Sequence, residues 1–139
     1  MPEQVIQANK ADLEANLRKF DSRLKQGFLR VIILHLLKQN KANHGYGLMD
    51  KIGELTNGSW KPGPSRIYPI LNEFVNNGWA VVKDDPDGTR GKKIFTLTKE
   101  GELAADIRIR RTKEFLEPWF DIIIGMKNGN EGNSNNQNA

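Results

Sequence analysis

Lys61-Pro62-Gly63-Pro64-Ser65-Arg66-Ile67-Tyr68-Pro69-Ile70-Leu71 lies near the middle of a 139-residue chain, and the fold turns on how it is read. Two prolines and a glycine make a rigid lead-in. Ser65 carries a hydroxyl suited to cap a helix by accepting from first-turn amides. From there Ile67, Ile70, Leu71, Phe74 and Gly78 fall on one side of a helix, and Ser65, Pro69, Asn72 and Asn76 on the other. Tyr68 and Arg66 stand on opposite flanks. Near the first turn Pro69 removes at most one backbone bond, and it biases Tyr68 away from helical angles. The spacing predicts a short helix with an apolar inner side and a polar, cation-bearing outer side.

Toward the N-terminus, Ile6, Leu13, Leu17, Phe20 and Leu24 recur at helical spacing and predict an amphipathic helix over residues 4–25, with a narrow stripe. Gly27 is expected to interrupt it. Residues 28–37 are apolar almost all round, apart from Arg30 and His35, which predicts a buried central helix. Residues 39–43 read as a polar connection, with Asn43 placed to cap the next helix. In that helix Leu48, Met49, Ile52 and Leu55 face inward and Asp50, Lys51 and Glu54 outward. Asn57-Gly58 ends it, the glycine suiting a left-handed cap.

Toward the C-terminus, residues 79–83 and 93–97 are strand patterns joined by a turn-rich loop, too long for a two-residue turn. Thr98 caps a final helix running to about residue 124. Its apolar residues form two arcs, Leu103, Ala104 and Ile107 on one, Ile109, Leu116, Trp119 and Phe120 on the other. Two arcs suggest two partners, the chain's own core and another chain. Pro118 is expected to kink this helix. Residues 127–139 are nearly all Asn, Gly, Gln, Ser and Glu, too polar to offset ordering entropy, and are expected to be disordered.

Composition narrows the function. The net charge is +4, which permits binding to nucleic acid without requiring it. Without cysteine there is no disulfide, thiolate metal site or cysteine nucleophile. The N-terminus lacks the pattern of a signal peptide. The apolar run over residues 31–37 falls far short of the roughly 20 residues a membrane span needs. A soluble cytoplasmic protein with no membrane partner is expected. His44 and His35 find no convincing third ligand, so neither metal nor cofactor is expected. No phosphate-cradling glycine loop, Ser/His/Asp arrangement or paired acids support an enzyme.

The order of elements, three helices and then a two-stranded hairpin, is that of a winged helix-turn-helix domain. In such a domain the third helix enters the major groove and the hairpin loop, the wing, touches flanking backbone. The expected fold class is mostly α with a small β-hairpin. The expected division is an N-terminal amphipathic helix (1–26), a winged-helix DNA-binding domain (27–98), a C-terminal dimerisation helix (99–126) and a disordered tail (127–139).

Particular residues sharpen this. His44-Gly45-Tyr46-Gly47-Leu48, Gly58-Ser59-Trp60-Lys61-Pro62, Ile67-Tyr68-Pro69-Ile70-Leu71, Asn77-Gly78-Trp79 and Phe95-Thr96-Leu97-Thr98-Lys99-Glu100-Gly101 follow one another at the spacings of the PadR family of transcriptional regulators. The chain resembles that family over about residues 25–104. The resemblance implies a dimeric winged-helix repressor whose C-terminal helix builds much of the dimer. Some members respond to small aromatic or lipophilic ligands. The chain departs from the pattern at Ser65-Arg66, where the family commonly has small or hydroxyl residues. It departs again at the end of the wing, where Phe95 follows Lys93-Ile94 in place of the usual tyrosine.

The expected DNA-binding residues are Lys61, Ser65, Arg66, Tyr68, Pro69, Asn72, Arg90, Lys92 and Lys93. Arg66 and Asn72 are placed to read bases. Lys61 and the wing cations would contact phosphates, and Tyr68 would contact phosphate or pack against the wing. Ser65 would cap the helix or face a phosphate. Glu73 counts against DNA, and Asp84, Asp85 and Asp87 weaken the field of the wing. Arg108, Arg110, Arg111 and Lys113 are expected to pair with Asp106, Glu114 and Glu117. Phe20, Phe115, Trp119 and Phe120 would line a cavity for a small aromatic effector or form ordinary dimer interface. The expected function is a homodimeric, sequence-specific repressor on an inverted-repeat operator of double-stranded DNA. The alternatives are a winged-helix protein-interaction module without DNA binding, and a ligand-sensing regulator.

Overall fold

A computed structural model of the chain describes residues 3–40, 42–87 and 92–125. It is mostly helical. Helix α1 spans Glu3–Asn40, β1 Ala42–Asn43, α2 Gly45–Leu55 and α3 Pro64–Asn76. Strands β2 (Ala80–Asp84) and β3 (Lys93–Leu97) form the hairpin, and α4 runs Lys99–Trp119 before a π-helical turn over Phe120–Ile124. The sheet order is β1-β3-β2, antiparallel throughout, with Asn43 opposite Phe95 and Asp84 opposite Lys93.

The core lies where α1, α2 and α3 converge under the sheet. Leu29, Ile33, Leu34, Leu36 and Leu37 of α1 meet Leu48 and Ile52 of α2 and Ile67, Ile70, Leu71 and Phe74 of α3. Phe95, Leu97 and Ala105 close it from the sheet and from α4. The residues expected to face inward on α3 are therefore buried, with one exception. Gly78 lies past the helix end, with φ 78°.

That position is a helix stop. The Gly78 and Trp79 amides donate back to the Val75 and Phe74 carbonyls at 3.0 and 2.8 Å, and the Trp79 ring packs on Phe74 at 5.7 Å between centroids. This is the Schellman pattern with its hydrophobic contact. Helix α2 ends with the same pair of backbone bonds. Asn57 takes the left-handed position at φ 53°, and the Asn57 and Gly58 amides donate to the Glu54 and Gly53 carbonyls.

Several local expectations are corrected. Gly27 does not interrupt α1, which continues unbroken for 38 residues, because the apolar run after it demands the same helical register. The expected polar connection includes the two-residue strand β1, stabilised by pairing with β3. Asn43 does not cap α2; His44 occupies that position, and Asn43 Oδ1 accepts from the His44 amide at 2.9 Å. Ser65 does not cap α3. Gly63 does, and Pro64 takes the first helical position, where its missing N–H costs nothing. Thr98 does cap α4, its Oγ1 accepting from the Gly101 amide at 3.0 Å. The expected tail over residues 127–139 and the wing tip over residues 88–91, with Arg90, lie outside the described residues.

Candidate nucleic-acid interface

Helix α3 presents Ser65, Arg66, Pro69, Asn72 and Asn76 to solvent, while Ile67, Ile70, Leu71 and Phe74 hold it in the core. Its first-turn amides are partly used internally: those of Arg66 and Ile67 donate to the Gly63 carbonyl at 3.0 and 3.2 Å. Ser65 thus stands at the second helical position as an exposed residue. Arg66 is also exposed, and its Nη1 donates to Gln26 Oε1 of α1 at 2.6 Å.

Two turns further, Glu73 lies on the same flank of α3 as Arg66. Arg30 of α1 grips its carboxylate from Nε and Nη2, at 2.8–3.1 Å. This bond holds the Glu73 carboxyl below the usual carboxylate range and raises the Arg30 guanidinium. The charge expected to repel phosphate is thereby matched by a cation at bidentate geometry. Together Gln26–Arg66 and Arg30–Glu73 tie one flank of α3 to α1.

Tyr68 lies on the other flank, half-buried between α2 and the wing. Its ring lies edge-on to Tyr46 at 6.1 Å and to Phe95 at 6.4 Å. Burial raises its phenol above the ordinary tyrosine value. The packing explains Gly45, where a Cβ would overlap the Tyr68 ring. Of the two readings offered for Tyr68, contact with the wing root is present.

The remaining expected cations are more engaged than the sequence suggests. Lys61 Nζ pairs with Asp50 at 3.0 Å, and its stem lies over Gly53. Lys93 pairs with Asp84 across the hairpin at 2.7 Å. Lys92 is exposed beside Asp85. Asp85 itself accepts from His44 Nε2 at 2.8 Å and from the Asp87 amide at 3.0 Å, which lowers its carboxyl. Sequence reasoning missed this pair. The signal is non-local, since β1 has to dock on β3 before His44 comes near the wing.

Within one chain, the aromatic residues expected at a cavity or interface between subunits do not all line one groove. Phe115 lines a groove of about 660 Å³ between α1 and α4, floored by Phe74 and Trp79 and bordered by Arg23, Arg30, Arg108 and Arg111. Phe20, Trp119 and Phe120 are exposed and are not among its lining residues. The expected pairing of Asp106 within α4 is also corrected: it meets Lys38 of α1, a contact between helices that a helical-wheel argument cannot see. Lys113 does pair with Glu117, at 3.8 Å.

Three comparisons bear on this geometry. Residues 33–106 match the family model of the PadR-like transcriptional regulators. Over 75 residues the chain is 35% identical to Transcriptional regulator YqjI of Escherichia coli K12, covering 54% of this chain. The match spans only 34% of that relative's length. A transcriptional regulator from Clostridium thermocellum superposes with a TM-score of 0.64 at 17% identity, covering 73% of this chain and 98% of that one. Bacillus subtilis PadR, solved in complex with operator DNA, superposes with a TM-score of 0.50 at 27% identity. That match covers 58% of this chain and 45% of that one.

Proposed function

The chain belongs to the PadR-like family of transcriptional regulators, and from that premise we propose that it is a homodimeric repressor that binds an inverted-repeat operator. The observation that carries the reading is the exposed face of α3. Ser65, Pro69, Asn72 and Asn76 share it, with Arg66 exposed on its flank, while the helix's one carboxylate is paired with Arg30. Arg66 can offer a guanidinium fork to guanine O6 and N7, and Asn72 an amide to adenine N6 and N7. The wing cations Lys92, Lys93 and Arg90 supply phosphate contacts, with Lys61 and Ser65 flanking α3. Two copies of α3 would enter successive major grooves about 34 Å apart.

A likeness at 27% identity to a regulator solved on its operator supports the reading. The rival, a winged-helix interaction module without DNA, draws on Glu73 and the acidic wing shoulder. Those carboxylates pair with Arg30, Lys93 and His44, which removes much of its motivation. Ligand sensing has one observation in its favour, the groove between α1 and α4, with Phe115 on its wall.

Selection of bound sequences from random duplexes, run at two salt concentrations, tests the proposal. The expected outcome is enrichment of a palindromic sequence whose affinity falls steeply with salt. No enrichment, or an affinity indifferent to ionic strength, overturns it.

A further inference from the structure

We propose that the His44–Asp85 pair is the positioning contact that sets the wing against α2 and α3, and that through it the wing contributes to DNA affinity. The inference rests on the DNA-binding reading above.

Among the described residues of the outer wing, little else holds it to the helices. Ala80 is buried at the root of β2, but residues 81–84 are exposed, and so is Lys93 opposite Asp84. Beyond that rung the Asp85 amide donates to the Lys92 carbonyl at 2.9 Å. Apolar packing therefore fixes the base of the hairpin and stops short of its end. His44 Nε2 meets Asp85 Oδ2 at 2.8 Å where that packing has run out.

Both partners are already ordered. His44 caps α2, its amide is bonded to Asn43 Oδ1, and Asn43 pairs with Phe95 of β3. Asp85 Oδ1 accepts from the Asp87 amide at 3.0 Å. A bond between two groups held in place loses less side-chain entropy on forming than one between free surface chains. The position of Asp85 also fixes Lys92, whose carbonyl it binds. The neighbouring charges are Lys92, Asp87 and the Asp84–Lys93 pair, so this is the one link from the described end of the wing to a helix cap.

The inference predicts the opposite sign from simple charge arithmetic. Removing a carboxylate beside DNA should strengthen binding if only net charge matters. Asp85→Ala is expected instead to weaken it. The experiment compares two duplexes by fluorescence anisotropy, the full selected operator and the same operator trimmed of its flanks. Wild type should bind the trimmed duplex more weakly. His44→Ala and Asp85→Ala should each lose about tenfold on the full duplex, with a salt slope lower by about 1–2. They should be unchanged on the trimmed one, and the double variant should lose no more than either single.

Asp85→Ala keeps the test open if His44→Ala fails to fold. Tighter binding by Asp85→Ala, or equal losses on both duplexes, overturns the inference. If wild type binds the operator but trimming has no effect, the wing makes no contact, and this inference falls with the wing's phosphate contacts while DNA binding by α3 stands. If wild type binds no selected duplex, the DNA-binding reading falls and takes this one with it.

Discussion

Arg66 shows how a site residue can be visible in a sequence while its setting is not. Its place on a flank of α3 follows from helical spacing, since residues 67, 70, 71 and 74 have to face the core. Its hydrogen bond to Gln26 does not follow, because the partner lies 40 positions away on a different helix. The same holds for Glu73, whose unfavourable charge is cancelled by Arg30, and for Lys61, held by Asp50. Side chains that satisfy one another across elements depend on where those elements dock, and local pattern does not encode it. If Arg66 reads a base, Arg66→Ala should weaken operator binding by about 1–3 kcal/mol and relax preference at one base pair. Its exposure predicts little change in thermal stability. Anisotropy titration against the operator and its single-base variants measures both effects, and wild-type affinity would remove Arg66 from the interface.

At the scale of elements, α3, the hairpin and the Thr98 cap are legible because each is specified locally, by periodicity, alternation or a single side chain. Strand β1 is not, since two residues carry no alternation and Ala42–Asn43 become a strand only by pairing with β3. The opposite error arises at Gly27. A lone glycine costs a helix interior only about 0.5–1 kcal/mol, less than the leucine-rich segment after it recovers by burial. A Cβ at Gly27 would meet nothing within 4 Å. Gly27→Ala is therefore expected to stabilise the protein by about 0.5–1 kcal/mol, seen as a higher urea midpoint with an unchanged m-value. A lower midpoint would mean that the backbone at this position needs glycine, which a continuous α1 does not.

At the scale of the molecule, α1 is a rod of 38 residues, about 57 Å long, with two halves that differ in what they touch. Its C-terminal half is core. Its N-terminal half exposes Leu13, Leu17, Phe20 and Leu24 along one stripe, with Phe20 64% exposed. The C-terminal end of α4 and the turn after it expose Phe115, Trp119, Phe120, Ile122, Ile123 and Ile124. Exposed apolar residues grouped in this way mark an interaction site; they include the stripe and, of the second arc read from the sequence, Trp119 and Phe120, whereas Ile109 of that arc packs on the chain's own core. We assign the site to a second copy of the chain, which would make the division between DNA-binding core and dimerising ends a functional one along a continuous helix. Because α1 also holds α3 through Gln26–Arg66 and Arg30–Glu73, packing of the rods would set the spacing of the two α3 helices. Phe20→Glu places a charge in the stripe without touching the core. Light scattering after gel filtration should show the mass fall from twice 15.8 kDa to 15.8 kDa. Operator affinity should fall with it, because two half-sites bound by separate chains lose the gain in effective concentration that linkage provides. A wild-type monomer, or a Phe20→Glu protein that stays dimeric, would exclude the stripe as the interface. A monomer that kept full operator affinity would instead show that one α3 and one wing suffice.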